Sequence, residues 1–247
     1  MIASRDLDFT GRRVLVSGAA GGIGSAMAAA FAAHGGEVIL ADIDGEALEK
    51  QAERLGGVAF HHYDQGDASS IAALAAAADP VDVLCNNAGI IQAGPLLEQS
   101  PETIQRIIAI NLTGPMLLAR QIGEGMVARG RGVIVNTASQ LAFHGAPTRA
   151  AYAAAKAGLV QFTKSAAAEW APHGVRVVAL APGRTLTPMT APFLATEEQR
   201  REGLKHIPAG RYGSAEEMAK LALFLASDAA SYVVGATLVA DGGYVLL

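Results

Sequence analysis

The 247-residue sequence predicts an α/β fold built on a doubly wound parallel sheet with helices on both faces. Three observations predict it. Apolar runs of strand length alternate with Ala-rich segments of helix length. The runs are apolar throughout rather than every second residue, as strands are when helices cover both sides of the sheet. A glycine-rich turn joins the first run to the first helix. With 51% apolar residues the chain can bury a substantial core, and one domain spanning residues 1–247 is the expectation.

The elements follow in order. Arg13-Val14-Leu15-Val16 is the first strand, and Ser17-Gly18-Ala19-Ala20-Gly21-Gly22-Ile23-Gly24 turns it into a helix. Val38-Ile39-Leu40-Ala41 is the second, ending at Asp42, with a helix opening near Asp44. Val81-Asp82-Val83-Leu84 leads to Asn86-Asn87-Ala88-Gly89, a strand-ending turn on composition alone. Ser100-Pro101 supplies an N-cap and a proline at the first helical position. The helical stretch that follows carries Asn111 and predicts a kink at Gly114-Pro115. Gly132-Val133-Ile134-Val135 runs into Asn136-Thr137-Ala138-Ser139, and a helix then places Tyr152 and Lys156 four residues apart on one face. Val175-Arg176-Val177-Val178-Ala179-Leu180 is a further strand. From Pro182 to Pro208 the chain is least regular, with four prolines, and reads as a substrate lid around residues 183–208. Ser214-Ala215-Glu216-Glu217 is a capping box. No repeat, linker or charge block marks a second domain.

Composition also excludes function classes. No stretch approaches the roughly 20 apolar residues of a membrane span. Met1-Ile2-Ala3-Ser4-Arg5-Asp6 carries charge at once and no apolar export signal, so a cytoplasmic protein is expected. Cys85 is the single cysteine, which rules out an internal disulfide and a multi-thiolate metal site; it reads as inert. His34, His61, His62, His144, His173 and His206 show no ligand spacing, so no metal is expected. A formal charge of −4 without a basic run gives little footprint for nucleic acid. The partner is a small molecule.

The glycine turn is shaped for a phosphate. Glycines let the backbone approach a pyrophosphate, and the helix behind them offers free N–H groups. About 20 residues on, at the end of the second strand, Asp42 can accept the ribose hydroxyls of NAD and would repel a 2′-phosphate. Neither Gly21 nor Ile43 offers a cation to hold one, so NAD is favoured over NADP. The alternative reading of Asp42 is a helix cap for the segment opening at Asp44. The Tyr152/Lys156 pair has its own chemical logic: a phenol with a pKa of about 10 is a poor base at neutrality, and a neighbouring ammonium favours the phenolate.

The looser spacing of Gly18, Gly22 and Gly24 resembles the TGxxxGxG turn of the short-chain dehydrogenases/reductases, with Ser17 in place of Thr, and the likeness runs along essentially the whole chain. Asn86-Asn87-Ala88-Gly89 resembles that family's NNAG segment, Tyr152-Ala153-Ala154-Ala155-Lys156 its YxxxK pair, and Pro182-Gly183 with Thr187 its PG…T segment. The resemblance implies a Rossmann-type sheet of about seven strands. It implies Asn111, Ser139, Tyr152 and Lys156 as the catalytic set, with Asn111 serving a water-linked proton path through Lys156. It implies cofactor contacts from Ser17, Gly18, Gly22, Ile23, Gly24, Asp42, Asp64, Gln65, Asn87, Ala88, Gly89, Tyr152, Lys156, Pro182, Gly183, Thr185 and Thr187. Thr185 departs from the pattern, standing where Ile or Val is usual. Asp241-Gly242-Gly243 resembles a family interface segment, implying a homotetramer or homodimer.

The implied reaction moves a hydride between NAD(H) and a secondary alcohol or ketone. Gln140, His144 and Arg149, between Ser139 and Tyr152, are the candidate substrate contacts, with Gln140 and His144 taking hydroxyls of a polyol, sugar or sugar acid. The runner-up is a 3-oxoacyl-thioester reductase, against which Asp42 speaks because those enzymes usually take NADP. A nucleotide-binding regulatory protein that has lost turnover would not be expected to keep all four catalytic positions, and a methyltransferase leaves Ser139, Tyr152 and Lys156 unexplained.

Overall fold

The structure, a computed structural model, describes residues 4–246; residues 1–3 of the N-terminal stretch read above, and residue 247, lie outside it. Seven parallel strands form one sheet: β1 (Arg13–Ser17), β2 (Glu37–Asp42), β3 (Ala59–His62), β4 (Val83–Asn86), β5 (Gly132–Thr137), β6 (Val175–Pro182) and β7 (Thr237–Ala240). Their order is β3-β2-β1-β4-β5-β6-β7. The register puts Leu15 of β1 beside Ile39 of β2 on one side and Leu84 of β4 on the other.

Because strand side chains alternate between faces, each run feeds two cores. Val14 and Val16 join Met27 and Phe31 of α1 (Gly22–Ala33), Leu48 of α2 (Gly45–Arg54) and Met218 and Ala222 of α8 (Ala215–Ala226). Leu15 joins Ile71 and Leu74 of α3 (Ala68–Ala78), Leu118 and Ile122 of α5 (Gly114–Arg129) and Ala166 of α6 (Ala150–Trp170). Both faces of the sheet are covered, which is why the runs lack a polar side. A fully buried side chain of this size contributes about 1.5–3 kcal/mol.

Three sequence expectations are corrected. The third apolar run, placed at 81–84, pairs as Val83–Asn86; Asp82 precedes the strand and ties down its entry, with Arg13 N donating to Asp82 Oδ2 at 3.0 Å. The expected kink at Gly114-Pro115 is instead a π-helical turn, Ala109–Thr113, between α4 (Pro101–Ile108) and α5. The proline-rich stretch after β6 is not irregular throughout: it holds a 3-10 turn, Ala191–Leu194, and α7 (Glu197–Leu204), which opens with a Thr196/Gln199 capping box. The expected caps at Ser100 and Ser214 both form. Among the described residues, no helix is long and apolar enough to cross a membrane.

The strand order reverses between β1 and β4, and in such sheets the crevice outside the carboxyl ends at this point receives the ligand. The glycine turn after β1 and the Asn86-Asn87-Ala88-Gly89 segment after β4 meet there.

Candidate active site

A cleft of about 850 Å³ runs along the carboxyl ends of the strands. One end is built by the turn from β1 into α1. Gly21 precedes the helix with no side-chain cap, and the first turn carries no acidic residue, so its N–H groups and partial positive charge face the cleft. Gly18 has φ +68°, and a Cβ there would stand 2.8 Å from the Ala88 Cα, so only glycine lets the turn lie against the segment after β4. A Cβ on Gly21 would meet nothing within 4 Å. The cradle is open, uncapped and free of negative charge on the helix end, and so fits a pyrophosphate.

Ser17 and Gly24, expected to touch the cofactor, do not line the cleft; they shape it from below. The buried Ser17 hydroxyl accepts from the Asn87 and Ala88 N–H groups at 2.9 and 3.0 Å, and the Asn87 side-chain amide donates to Ser17 O at 3.1 Å. Gly24 packs so closely that a Cβ would collide with the Gly18 carbonyl. Gly18, Gly22, Ile23, Asn87, Ala88 and Gly89 all line the cleft.

Asp42 lines the cleft at the end of β2, where its carboxylate accepts from Ala20 N at 3.0 Å and Asp44 N at 3.1 Å. The cap of α2 is Asp44, which accepts from Ala47 N, so the capping role falls to the neighbour and not to Asp42. Asp64 and Gln65 follow β3 along the same wall. Gln65 is spent on the protein: its side-chain oxygen accepts from the Tyr63 hydroxyl and its nitrogen donates to Ala88 O at 2.8 Å and Ile110 O at 2.7 Å. It pins the segment after β4 to the π-turn.

That turn presents Asn111. Fully buried, it donates to Ile90 O and Ile107 O at 2.9 and 3.0 Å and accepts from Ile90 N at 3.3 Å. A Cβ on Gly89 would stand 2.7 Å from Asn111 Oδ1 and 3.6 Å from Lys156 Nζ, so the bare glycine is what lets the two side chains approach. Lys156 Nζ donates to Thr137 O at 2.7 Å and lies 5.8 Å from the Tyr152 ring centroid. Burial alone pushes its pKa down to about 8. Tyr152 moves opposite to what a base needs: burial pushes its phenol up, while a hydrogen bond from Ser139 and the charge of Arg149 pull it back. Ser139 ends the loop after β5 and also accepts from Leu141 N at 3.2 Å. Asn111, Ser139, Tyr152 and Lys156 are thus brought to one wall of the cleft.

Beyond Ser139, Gln140 is buried with its Oε1 unpartnered, and the Nε2 of His144 is likewise buried without a partner. Arg149 lines the same half. Sequence reasoning missed Thr148, Arg184, Phe193 and Tyr244, which also line it; only the proline-rich character of the stretch after β6 pointed towards two of them. In that stretch a Cβ on Gly183 would press on the Asp241 Cα, at 2.4 Å. Thr185 is buried, and its hydroxyl donates to Gly183 O at 3.2 Å. Thr187 reaches the glycine turn, with its Cβ 3.4 Å from a Cβ built on Gly22. Among the described residues no His, Cys, Asp and Glu cluster could hold a metal. Cys85 is fully buried, and burial raises its thiol pKa.

A family profile described as enoyl-(acyl carrier protein) reductase matches residues 18–245. The chain is 40% identical to D-threitol dehydrogenase of Mycolicibacterium smegmatis, over 98% of this chain and 97% of that one. It is 42% identical to galactitol 2-dehydrogenase (L-tagatose-forming) of Cereibacter sphaeroides, over 93% of each. A crystal structure from Beutenbergia cavernae, with NADP bound at low occupancy, superposes with a TM-score of 0.93 at 40% identity, covering 98% of this chain and all of that one.

Proposed function

Because the chain belongs to the short-chain dehydrogenase/reductase family, we propose that it is an NAD(H)-dependent oxidoreductase interconverting a secondary alcohol and a ketone on a polyol, sugar or sugar acid. The observation that carries this reading is the convergence of Ser139, Tyr152 and Lys156 on one wall of a cleft that an uncapped helix N-terminus also lines. The D-threitol and galactitol dehydrogenases named above support the substrate class.

The division of labour follows from the side chains. The cofactor would lie with its pyrophosphate on Gly21, Gly22 and Ile23 and its adenosine ribose on Asp42, with Asn87 to Gly89 and Pro182, Gly183, Thr185 and Thr187 around its nicotinamide half. When bound, NAD would supply the acceptor for the carbinol hydride. Ser139 orients the alcohol by hydrogen bonding its oxygen. Tyr152 takes the alcohol proton, so that the C–H electron pair leaves with the hydride and the carbonyl forms. Lys156 holds an ammonium beside Tyr152 and the nicotinamide ribose, stabilising the phenolate that burial disfavours. Asn111 fixes the backbone around Ile90 and serves the proton path out through Lys156.

Asp42 supports NAD over NADP, since its carboxylate stands where a 2′-phosphate would add like charge. We further infer one domain across 1–247, a lid around 183–208, a homotetramer or homodimer, and a cytoplasmic setting. One second reading, a 3-oxoacyl-thioester reductase, is supported by 38% identity to the 3-oxoacyl-[acyl-carrier-protein] reductase of Thermotoga maritima over 96% of this chain.

The test is NADH and NADPH formation at alkaline pH on galactitol, D-threitol, D-gluconate and a 3-hydroxyacyl thioester, with Tyr152→Phe and Asp42→Asn as variants. Tyr152→Phe is expected to lose about 10²–10⁴-fold in turnover on a polyhydroxy substrate. Asp42→Asn removes the charge while keeping one of the two oxygen acceptors that Ala20 N and Asp44 N use, and is expected to shift the NAD/NADP ratio of kcat/KM by about tenfold towards NADP. Turnover of thioesters alone, with NADP preferred by the wild type, puts the second reading in its place.

A further inference from the structure

The carboxylates among the cleft's lining residues, Asp42, Asp44 and Asp64, follow β2 and β3; of its cations, Arg106 lies on α4 and Lys156 beside Tyr152 on α6, and Arg149 and Arg184 line the half beyond β5 and β6. Among the described residues neither of these arginines forms an ion pair.

Both are nevertheless held in place. The Arg149 Nη1 donates to Thr148 Oγ1 at 2.7 Å and to Thr148 O at 3.2 Å, and its guanidinium lies 4.5 Å over the Phe193 ring. Thr148 has φ +63°, the one positive value at a non-glycine residue among those described. A β-branched residue takes that conformation only where its surroundings impose it, and such strain gathers at functional sites. Arg184 lies 5.6 Å over the Tyr244 ring, and Gly203 of α7 leaves it room: a Cβ there would stand 2.8 Å from Arg184 Nη1. The other side of the assembly is polar and unfinished. His144 packs on Tyr244 with ring centroids 5.0 Å apart and keeps a buried, unpartnered Nε2, and Gln140 adds its buried, unpartnered Oε1. The Arg149 cation is disfavoured by partial burial and then by Arg184, as expected of two like charges without a counter-ion.

Positioned guanidiniums stacked on aromatic rings are suited to a planar or tetrahedral oxyanion, and buried polar atoms without partners are suited to hydroxyls. The geometry points to an acidic polyhydroxy substrate, whose terminal carboxylate or phosphate is held by Arg149 and Arg184 while Gln140 and His144 take hydroxyls next to the reacting carbon. The anion is not the cofactor's own: Arg149 stacks on Phe193 and Arg184 on Tyr244, which also packs on His144, so the two guanidiniums are turned to the His144 side. This inference rests on the dehydrogenase reading and narrows its substrate class.

The experiment measures kcat/KM with saturating NAD for a carboxylate probe (D-gluconate), a phosphate probe (D-sorbitol 6-phosphate) and a neutral probe (galactitol), in the wild type, Arg184→Gln, Arg184→Lys and Arg149→Gln. The wild type is expected to prefer one anionic probe over galactitol, and which one it prefers assigns the terminus as carboxylate or phosphate. Arg184→Gln is expected to lose about 10- to 100-fold on that probe, mostly in KM, and less than about threefold on galactitol, with Arg184→Lys recovering part of the loss. Arg149→Gln also removes a charge that favours the Tyr152 phenolate, so its signature is the anionic-to-neutral ratio rather than the absolute rate. Equal losses on charged and neutral probes, or a wild-type preference for galactitol, overturns the inference while leaving the dehydrogenase reading intact. No Tyr152-dependent turnover of any probe overturns both.

Discussion

Lys156, the ammonium of the proposed mechanism, is kept at a cost to the fold. Its ammonium is buried, at 3% exposure, with one protein acceptor, Thr137 O, and burial pushes its pKa from 10.5 down to about 8. A lowered value means that the unfolded chain binds this proton more tightly than the folded one. Below about pH 8 the full penalty for burying the charge stands, and it is relieved as pH rises from about 8 towards 10.5. Lys156→Met is therefore expected to melt a few degrees higher than the wild type at pH 7, at about 2–4 °C per kcal/mol for a chain of this size, with the gap closing over that window. The orphaned Thr137 carbonyl offsets about 1 kcal/mol of the gain. Turnover should fall by about 10²-fold or more. Paired melting curves at pH 7 and 9.5 check the sign. At this scale the sequence was readable where spacing carries chemistry, as in Tyr152 and Lys156. It was not readable for Arg184 or Tyr244, whose roles come from the packing of distant segments against one another rather than from any local pattern.

The element that best repays attention is the π-turn at 109–113. One extra residue in the helical path swings Asn111 inward, and the turn is fixed from outside by the Gln65 amide bonding Ile110 O across 45 residues. Gly114 completes the joint, since a Cβ there would collide with the Gln65 carbonyl oxygen. That contact is backbone, so it cannot swing away as a side chain would. Gly114→Ala is expected to destabilise the protein by about 1–3 kcal/mol, read by chemical denaturation, and to lower kcat more than the melting temperature alone implies, because Asn111 moves with the turn. The sequence contains Gly114-Pro115 but not the bond from Gln65, so a kink was legible and its π character was not. The same division explains the strands: β1, β2, β5 and β6 are apolar because both their faces are buried, whereas β3 lies at the sheet edge with mostly exposed residues and gives no apolar run.

For the whole molecule, the order β3-β2-β1-β4-β5-β6-β7 sets the site between two halves of the sheet that the chain completes at different times. Alternating apolar runs and helices made this architecture legible, because parallel strands demand long crossovers. The helical turns of the stretch after β6 were obscured by its prolines, of which Pro192 merely opens a 3-10 turn. Cys85 lies at the seam of the halves, on β4 beside Val16 of β1, fully buried and the only thiol in the chain. A thiol so placed is a built-in clock for the opening of the sheet. A colourless reagent that turns coloured on modification should react with the native protein only as fast as β1 and β4 part, giving the free energy of that opening without any engineered label. Saturating NAD should slow the reaction by the factor 1 + [NAD]/Kd, whereas a reagent rate indifferent to NAD would mean that the seam opens without disturbing the nucleotide crevice.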